Sequence, residues 1–399
     1  RSPGVPSFLV VIGLGDVQVL QSLDRRAPGI RMLVVEPDAA VASRWLRHDT
    51  TAAWRAEGRL TPLIGPEYTG ADRAWQAFPR HVDAIKVVAH PGLDTRHPEA
   101  LRAARLVKDV VFGVRANAEA RRKFAPRYLT NVLRNVPRIM RGRDVLSLSG
   151  QLRGVPAVIA AAGPSLDRVR GDLASVADRA LLIAADTALR PLLAAGVEPH
   201  LVVGADPGAF NARHFASLPP CPRTWLVAES ALDPMAADRF GTRTFWFELS
   251  GHHPWPWLNS MGIDIGRIEM WGSVLTAAFE VACLAGCDPI VFVGADLAFT
   301  GNRPYCRGTT YEFDWAARTA LGEALADVWR REIDLKSPVV VADLDGRPTT
   351  TAEHLVSFRD WLVARAGRSG RRVVNATGGG ILAGDAIETR PLDAVVPCD

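Results

Sequence analysis

The chain reads as an α/β protein: a Rossmann-like N-terminal subdomain, a helical connector, then a larger domain built on a mostly parallel sheet. Three observations predict this. Short runs rich in Val, Ile, Leu and Ala recur along the chain, as strands buried on both faces require. Helix-length segments fall between many of them, the alternation that parallel sheets need. The run Val155–Ala162 stops at Gly163-Pro164-Ser165 and a helical pattern follows, as where a strand feeds a tight turn into a helix.

The N-terminal subdomain is assigned to residues 1–97. Phe8–Ile12 forms its first strand and ends at Gly13-Leu14-Gly15-Asp16. Arg31–Val35 forms the second and ends in Glu36, and Ala84–Ala89 forms another. A Gly-x-Gly turn with an acid after the second strand partly fits a dinucleotide-binding fingerprint, but Gln18 stands where the third glycine belongs. The preferred reading is a structural βαβ unit without a ligand. Residues 98–149 read as a helical, Arg-rich connector. Asn131 and Asn135 lie four apart within it and share one helix face. An exposed surface is the default for such a pair, and a ligand-facing pair is the alternative.

Residues 150–399 carry strands at Ala157–Ala161, Leu181–Ala184, Leu201–Gly204, Trp225–Ala228, Ile290–Val293, Val339–Val341 and Arg372–Val374. Ligands of open parallel sheets bind at the carboxyl ends of the strands. Polar residues gather there: Gly163, Pro164, Ser165 and Leu166 after one strand, Asp186-Thr187 after the next, Asp206 after a third, and Asp296 after Ile290–Val293. The Gly163 turn reads as a phosphate site, because N–H groups and the positive dipole end at a helix start attract anions. Ser273 sits at a second expected helix start. Tyr305 and Tyr311 follow Asp296 on a segment whose first part is bracketed by Gly301 and Gly308, and which reads as a mobile loop or lid. The Pro- and Trp-rich stretch 251–257 holds His252 and His253 and reads as an ordered loop near the cleft.

Composition narrows the function. The 399 residues are 48% hydrophobic and 23% charged, the balance of a globular chain with room for two or three domains. A net charge of +4 does not argue for a nucleic-acid partner. The five cysteines are sparse and unpaired in spacing, which fits reduced thiols in the cytoplasm. Cys283 and Cys287, four apart, read as buried small hydrophobes rather than metal ligands. No apolar run reaches the roughly 20 residues of a membrane span. P-loop, HExxH, zinc-type and G-x-S-x-G patterns are all absent from the sequence.

Four blocks, in order, resemble the central domain of motility accessory factors, the bacterial flagellin glycosyltransferases. They are 156–166, then 182–190 with 196–206, then 272–276 with 285–298, and finally 374–380. Asn131 and Asn135 also fit the family's approach helix, so the resemblance covers about residues 125–385. The domain is similar to bacterial sialyltransferases, and archaeal 6-hydroxymethylpterin diphosphokinases share it. The resemblance implies a cytoplasmic enzyme that moves a nonulosonic acid of the sialic, pseudaminic or legionaminic type. Its donor would be the CMP-activated sugar and its acceptor a flagellin Ser or Thr.

The resemblance also distributes roles. Gly163–Leu166 and Ser273 would hold the CMP phosphate. Asp186, Thr187 and Asp206 would contact the nucleotide or hold Mg²⁺ or another divalent metal. Asn131, Asn135, Tyr305 and Tyr311 would face the sugars. His354 is the first candidate for the base that activates the acceptor hydroxyl, and Asp296 the second. The chain departs from the pattern in places. It has Ala162 before the turn and Asp186 near the end of the second strand, where such sialyltransferases carry Asn. Thr349–Thr351 stands in the region of their late His. The chain is short for a motility accessory factor and lacks the expected helical C-terminal extension. Two alternatives stay open: a Mg²⁺-dependent diphosphokinase that transfers pyrophosphate from ATP to a pterin-like alcohol, and a nucleotide-sugar-binding accessory protein without catalysis.

Overall fold

The structure is a computed structural model that describes residues 8–66, 68, 85–91, 93, 98–249 and 253–396. The chain divides into two compact units, 1–123 and 124–399. The helix Pro98–Ile139 runs across the position of this division in the chain.

The first unit holds four parallel strands: β1 (Phe8–Ile12), β2 (Arg31–Glu36), β3 (Leu60–Ile64) and β4 (Ile85–Ala89), in the order β3-β2-β1-β4. The period of two is visible in its packing. Phe8, Val10 and Ile12 join Ala103 and Val107 on one face, while Leu9 and Val11 join Trp45 and Trp54 on the other. The Rossmann-like reading holds. Its acid, Glu36, is buried and turned inward. The Leu14 N–H and the Trp45 indole donate to its Oε2 at 3.0 and 3.4 Å. Gly15 has a positive φ, and a Cβ there would lie 2.5 Å from His90 Nε2. The protein's own groups therefore crowd the Gly-x-Gly turn.

The second unit is built on a nine-stranded parallel sheet. Its strands are β5 (Arg143–Asp144), β6 (Ala157–Ala160), β7 (Leu181–Ala185), β8 (Leu201–Gly204), β9 (Trp225–Glu229), β10 (Thr244–Phe247), β11 (Ile290–Val293), β14 (Val373–Asn375) and β15 (Glu388–Thr389). They run in the order β15-β14-β11-β6-β7-β8-β9-β10-β5. Alternate residues again feed two cores. Val158, Ala160, Leu182, Ala184 and Val202 face Val132 and Leu189. Ala157, Ile159, Ile183 and Val203 face the helix Val274–Ala285.

Val339–Val341, expected in this sheet, belongs to a separate antiparallel hairpin of β12 (Pro338–Ala342) and β13 (Pro348–Ala352). The reason is burial. A parallel strand must be covered on both faces, and β12 alternates exposed with half-buried residues. Chain order reverses at β6, whose neighbours are β7 on one side and β11 on the other. Open α/β sheets place their ligand crevice at such a point.

Candidate functional site

The Gly163 turn is built as a close contact rather than as an open cradle. A Cβ on Gly163 would lie 2.2 Å from Asp296 Oδ2 and 2.5 Å from the Gly294 carbonyl oxygen. Ser165 donates to Asp296 Oδ2 through its backbone N–H at 3.2 Å and its hydroxyl at 2.6 Å. The Leu166 N–H donates to the Gly163 carbonyl and the Asp167 N–H to that of Pro164. The helix that follows, Leu166–Val169, is a single turn. The N–H groups of Gly163, Ser165 and Leu166, which with Pro164 were expected to cradle a phosphate, each donate to a group of the protein itself in this structure. Asp296, the second candidate base, is 0% exposed and anchors the turn from below. Burial raises its pKa.

Beside this turn, the ends of β7 and β8 bring together residues that the sequence placed far apart. Asp186 opens the helix Asp186–Ala194 and is buried. Its Oδ1 accepts from the N–H and hydroxyl of Thr187 at 2.7 and 3.1 Å. Burial pushes its pKa up to about 6, and the Asp206 carboxylate adds to the rise. Asp206 Oδ1 in turn accepts from the Gly208 N–H at 2.7 Å.

Tyr305 and Tyr311 stack on one another, with ring centroids 4.5 Å apart and planes within 4°. Burial raises the Tyr311 pKa, followed by Tyr305 and then the carboxylates of Asp186 and Asp206. The Tyr pair and the Asp pair therefore share one neighbourhood.

The segment carrying the tyrosines is tied down. Arg303 donates to Asp167 and to the Pro164 carbonyl at 2.7 and 3.0 Å. The N–H groups of Cys306 and Arg307 donate to the Ala162 carbonyl and to Asp167. In this structure the segment read as a lid is hydrogen-bonded to the Gly163 turn through Arg303, Cys306 and Arg307. His214, buried beneath Tyr311, meets the Thr310 hydroxyl through Nδ1 at 2.7 Å. Burial, Arg213 and Arg190 push its pKa down to about 4.

The next strand end supplies a group that the sequence reading missed. Glu229 closes β9 and is 0% exposed. It accepts from the Tyr128 hydroxyl, the Ser230 hydroxyl and the Ala231 N–H, and burial raises its pKa to about 7. The Trp255 indole donates on to Ser230 Oγ at 2.8 Å. A signal was present: Trp225–Glu229 is an apolar strand that ends in an acid. Asn131 and Asn135 serve this same loop. Asn131 donates to the carbonyls of Pro207 and Ala231, and Asn135 to those of Ser230 and Leu232. Both asparagines are buried, against the expectation of a surface pair, and their N–H groups are engaged with backbone.

Ser273 caps the helix Val274–Ala285 through the Leu275 N–H. That helix ends against Leu152, just before β6 begins, so its start lies at the carboxyl edge of the sheet. His354 opens the helix Glu353–Ser369 and rests edge-on against Phe358, whose ring lies against Gly272. Burial and then Lys336 lower its pKa. His354 is thus linked to the start of the Ser273 helix through Phe358 and Gly272, while Asp186 and Asp206 follow the ends of β7 and β8. His253 is exposed, and His252 lies outside the described residues. Cys287 is buried and Cys283 half-buried, and desolvation raises their thiols to about 11 and about 12. Among the described residues no group of three or more His, Cys, Asp or Glu side chains is placed to hold a metal. None of the described helices is long and apolar enough to cross a membrane.

Residues 130–302 match the family model described as 6-hydroxymethylpterin diphosphokinase MptE-like. The structure is similar to that of the MAf glycosyltransferase from Magnetospirillum magneticum AMB-1, with a TM-score of 0.62 and 19% sequence identity. The similarity covers 98% of this chain and 58% of that one, so the chain spans little more than half of its structural relative. No curated protein matches the chain. The two similarities fall where the sequence resemblance placed them, and they show the fold.

Proposed function

We propose that the chain is a cytoplasmic glycosyltransferase that moves a nonulosonic acid from its CMP-activated donor to a Ser or Thr hydroxyl of a flagellin-type protein. The observation that carries this reading is the gathering of Asp186, Asp206, Tyr305 and Tyr311 at the ends of β7 and β8, in a fold shared with a glycosyltransferase. Carboxylates accept hydrogen bonds from the hydroxyls of ribose and sugar, and stacked phenols offer an apolar face with a polar edge. A base that works near neutrality needs a pKa near the operating pH. Asp186 meets that need at about 6, whereas Asp296 is held by Ser165. We therefore assign the base to Asp186 and keep Asp206 and Thr187 as its neighbours. Ser273 remains a donor for the leaving phosphate, while Asn131 and Asn135 position the loop after β9.

The match over residues 130–302 favours a second reading, transfer of pyrophosphate from ATP to a pterin-like alcohol. Mg²⁺ is commonly held by one or two carboxylates with substrate phosphates completing its shell. Asp186 and Asp206 would hold it in that case, and the ion would offset phosphate charge. A non-catalytic accessory protein would bind nucleotide sugar without turnover.

Thermal-shift titration with CMP, CDP, ATP and ADP, each with and without Mg²⁺, separates the readings. A ligand that binds only the native state raises the melting temperature. Stabilisation by CMP, followed by release of CMP from a CMP-nonulosonic acid in the presence of acceptor, supports the transferase. Stabilisation by ATP with Mg²⁺ alone overturns it in favour of the diphosphokinase. Binding of the donor without turnover leaves the accessory protein.

A further inference from the structure

Next to the Gly163 turn lies an open cleft of about 450 Å³ lined by Asp167, Arg170, Arg303, Arg307 and Trp329. Asp167, Arg303 and the Arg307 backbone tie the tyrosine segment to the turn, but none of the five side chains is among the groups assigned above to nucleotide or sugar. We propose that this cleft is a separate binding site for a small multivalent oxyanion, of the phosphate or pyrophosphate class.

The charge count points there first. Three guanidiniums line the cleft against one carboxylate, an excess of two positive charges. Like charges held this close repel, and an anion with two or more negative charges offsets that cost.

The geometry points the same way. Asp167 serves as a brace. Its Oδ2 accepts from Arg303 at 2.7 Å, its Oδ1 accepts from the Arg307 N–H at 3.0 Å, and Arg170 stands 3.4 Å away. Arg170 also donates to the Arg307 carbonyl at 3.0 Å, and Arg303 to the Pro164 carbonyl. The acid and the carbonyls fix the backbone and the forks in place, yet neutralise one charge of three. Among the described residues the Arg307 side chain has no ion pair, and it is exposed at the mouth. Planar guanidiniums held by other bonds are pre-organised for bidentate contact with oxyanions. Trp329 adds an indole N–H that is buried without an acceptor. A buried donor in that state is a standing cost that an acceptor brought into the cleft can relieve.

The shared chemistry is the phosphate oxyanion, whether free or at the end of an ester. The probes are inorganic pyrophosphate and a phosphate monoester, titrated calorimetrically into the full chain at low salt. Wild type should bind pyrophosphate, and Arg307→Ala should weaken binding about tenfold or more, since a tenfold loss corresponds to one modest charged contact. Arg170→Ala with Arg307→Ala should abolish it, with the melting temperature confirming that both variants fold. Arg303 is left intact because it holds the turn. Tighter binding of the ester than of pyrophosphate assigns an ester ligand, and the reverse assigns the free anion.

Three results would overturn the proposal: no binding of either probe to wild type, equal binding by the double variant, or displacement of pyrophosphate by CMP or ATP, which would assign the anion to the nucleotide site. Binding of an acidic peptide without either probe would likewise replace the small-anion reading. Because the CMP response is measured apart from the pyrophosphate response, failure of one leaves the other standing.

Discussion

Glu229 is the residue whose environment makes the clearest quantitative demand. Its carboxyl is fully buried, with Tyr128, Ser230 and Ala231 as donors, and burial lifts its pKa from 4.5 to about 7. A group whose folded pKa is raised binds more protons folded than unfolded between the two values, so stability falls as pH rises through that window. A shift of this size corresponds to about 3 kcal/mol between pH 4.5 and 7. We expect wild type to lose stability across this range and Glu229→Gln to lose less, in urea melts at pH 5 and pH 8. The slope is the readout, because the new amide NH₂ meets a shell of donors and lowers stability at both pH values. Equal slopes would refute the assignment. Asp186 makes the matching prediction for activity. If it accepts the acceptor proton, the acid limb of the rate profile lies near pH 6. Asp206→Asn moves that limb down, since the Asp206 charge helps to hold Asp186 up. An unmoved limb in an active variant would refute the pairing. The two groups also show what a sequence conceals. Asp186 was legible because an acid directly after an apolar run marks a strand end. Glu229 carried a similar strand-end mark, but its burial against Tyr128, 101 residues away, did not show in the sequence.

At the scale of elements, the strands that read correctly are those whose two faces are both buried. Leu201–Gly204 and Ile290–Val293 coincide with the expected bounds, since an uninterrupted apolar run bounded by Gly or Asp leaves little choice. Thr244–Phe247 escaped notice. It has four residues, three of them aromatic, and only pairing with β9 and β5 makes it a strand. Glycine at 163 marked a close approach in the sequence, and the structure supplies the crowding groups: Asp296 and the Gly294 carbonyl stand at the Cβ position. Gly163→Ala is therefore expected to cost about 1–3 kcal/mol, at the upper end because the Gly294 carbonyl is backbone and cannot swing aside. Chemical denaturation of the variant checks this, and a change within 0.5 kcal/mol would show that the turn relaxes freely.

The whole chain carries separate hydrophobic cores on either side of the division at 123/124. Phe8, Val10, Leu33 and Trp45 belong to the first unit, whereas Val158, Leu182, Phe279 and Phe292 belong to the second. A unit with its own core is able to fold alone. The candidate site, its loop-positioning asparagines and the arginine cleft all lie within 124–399. The part of the long helix that bears Tyr128, Asn131 and Asn135 falls on that side of the division too. A fragment of residues 124–399 should therefore melt in one cooperative transition. It should also respond to the nucleotides that stabilise the full chain, with the same order of preference among CMP, CDP, ATP and ADP. The first unit has its acid bonded into its own Gly-x-Gly turn, so we expect its removal to leave that preference unchanged. Loss of cooperative melting in the fragment would show that the second core depends on the first. A folded fragment with an altered preference would show instead that the first unit contributes to ligand choice.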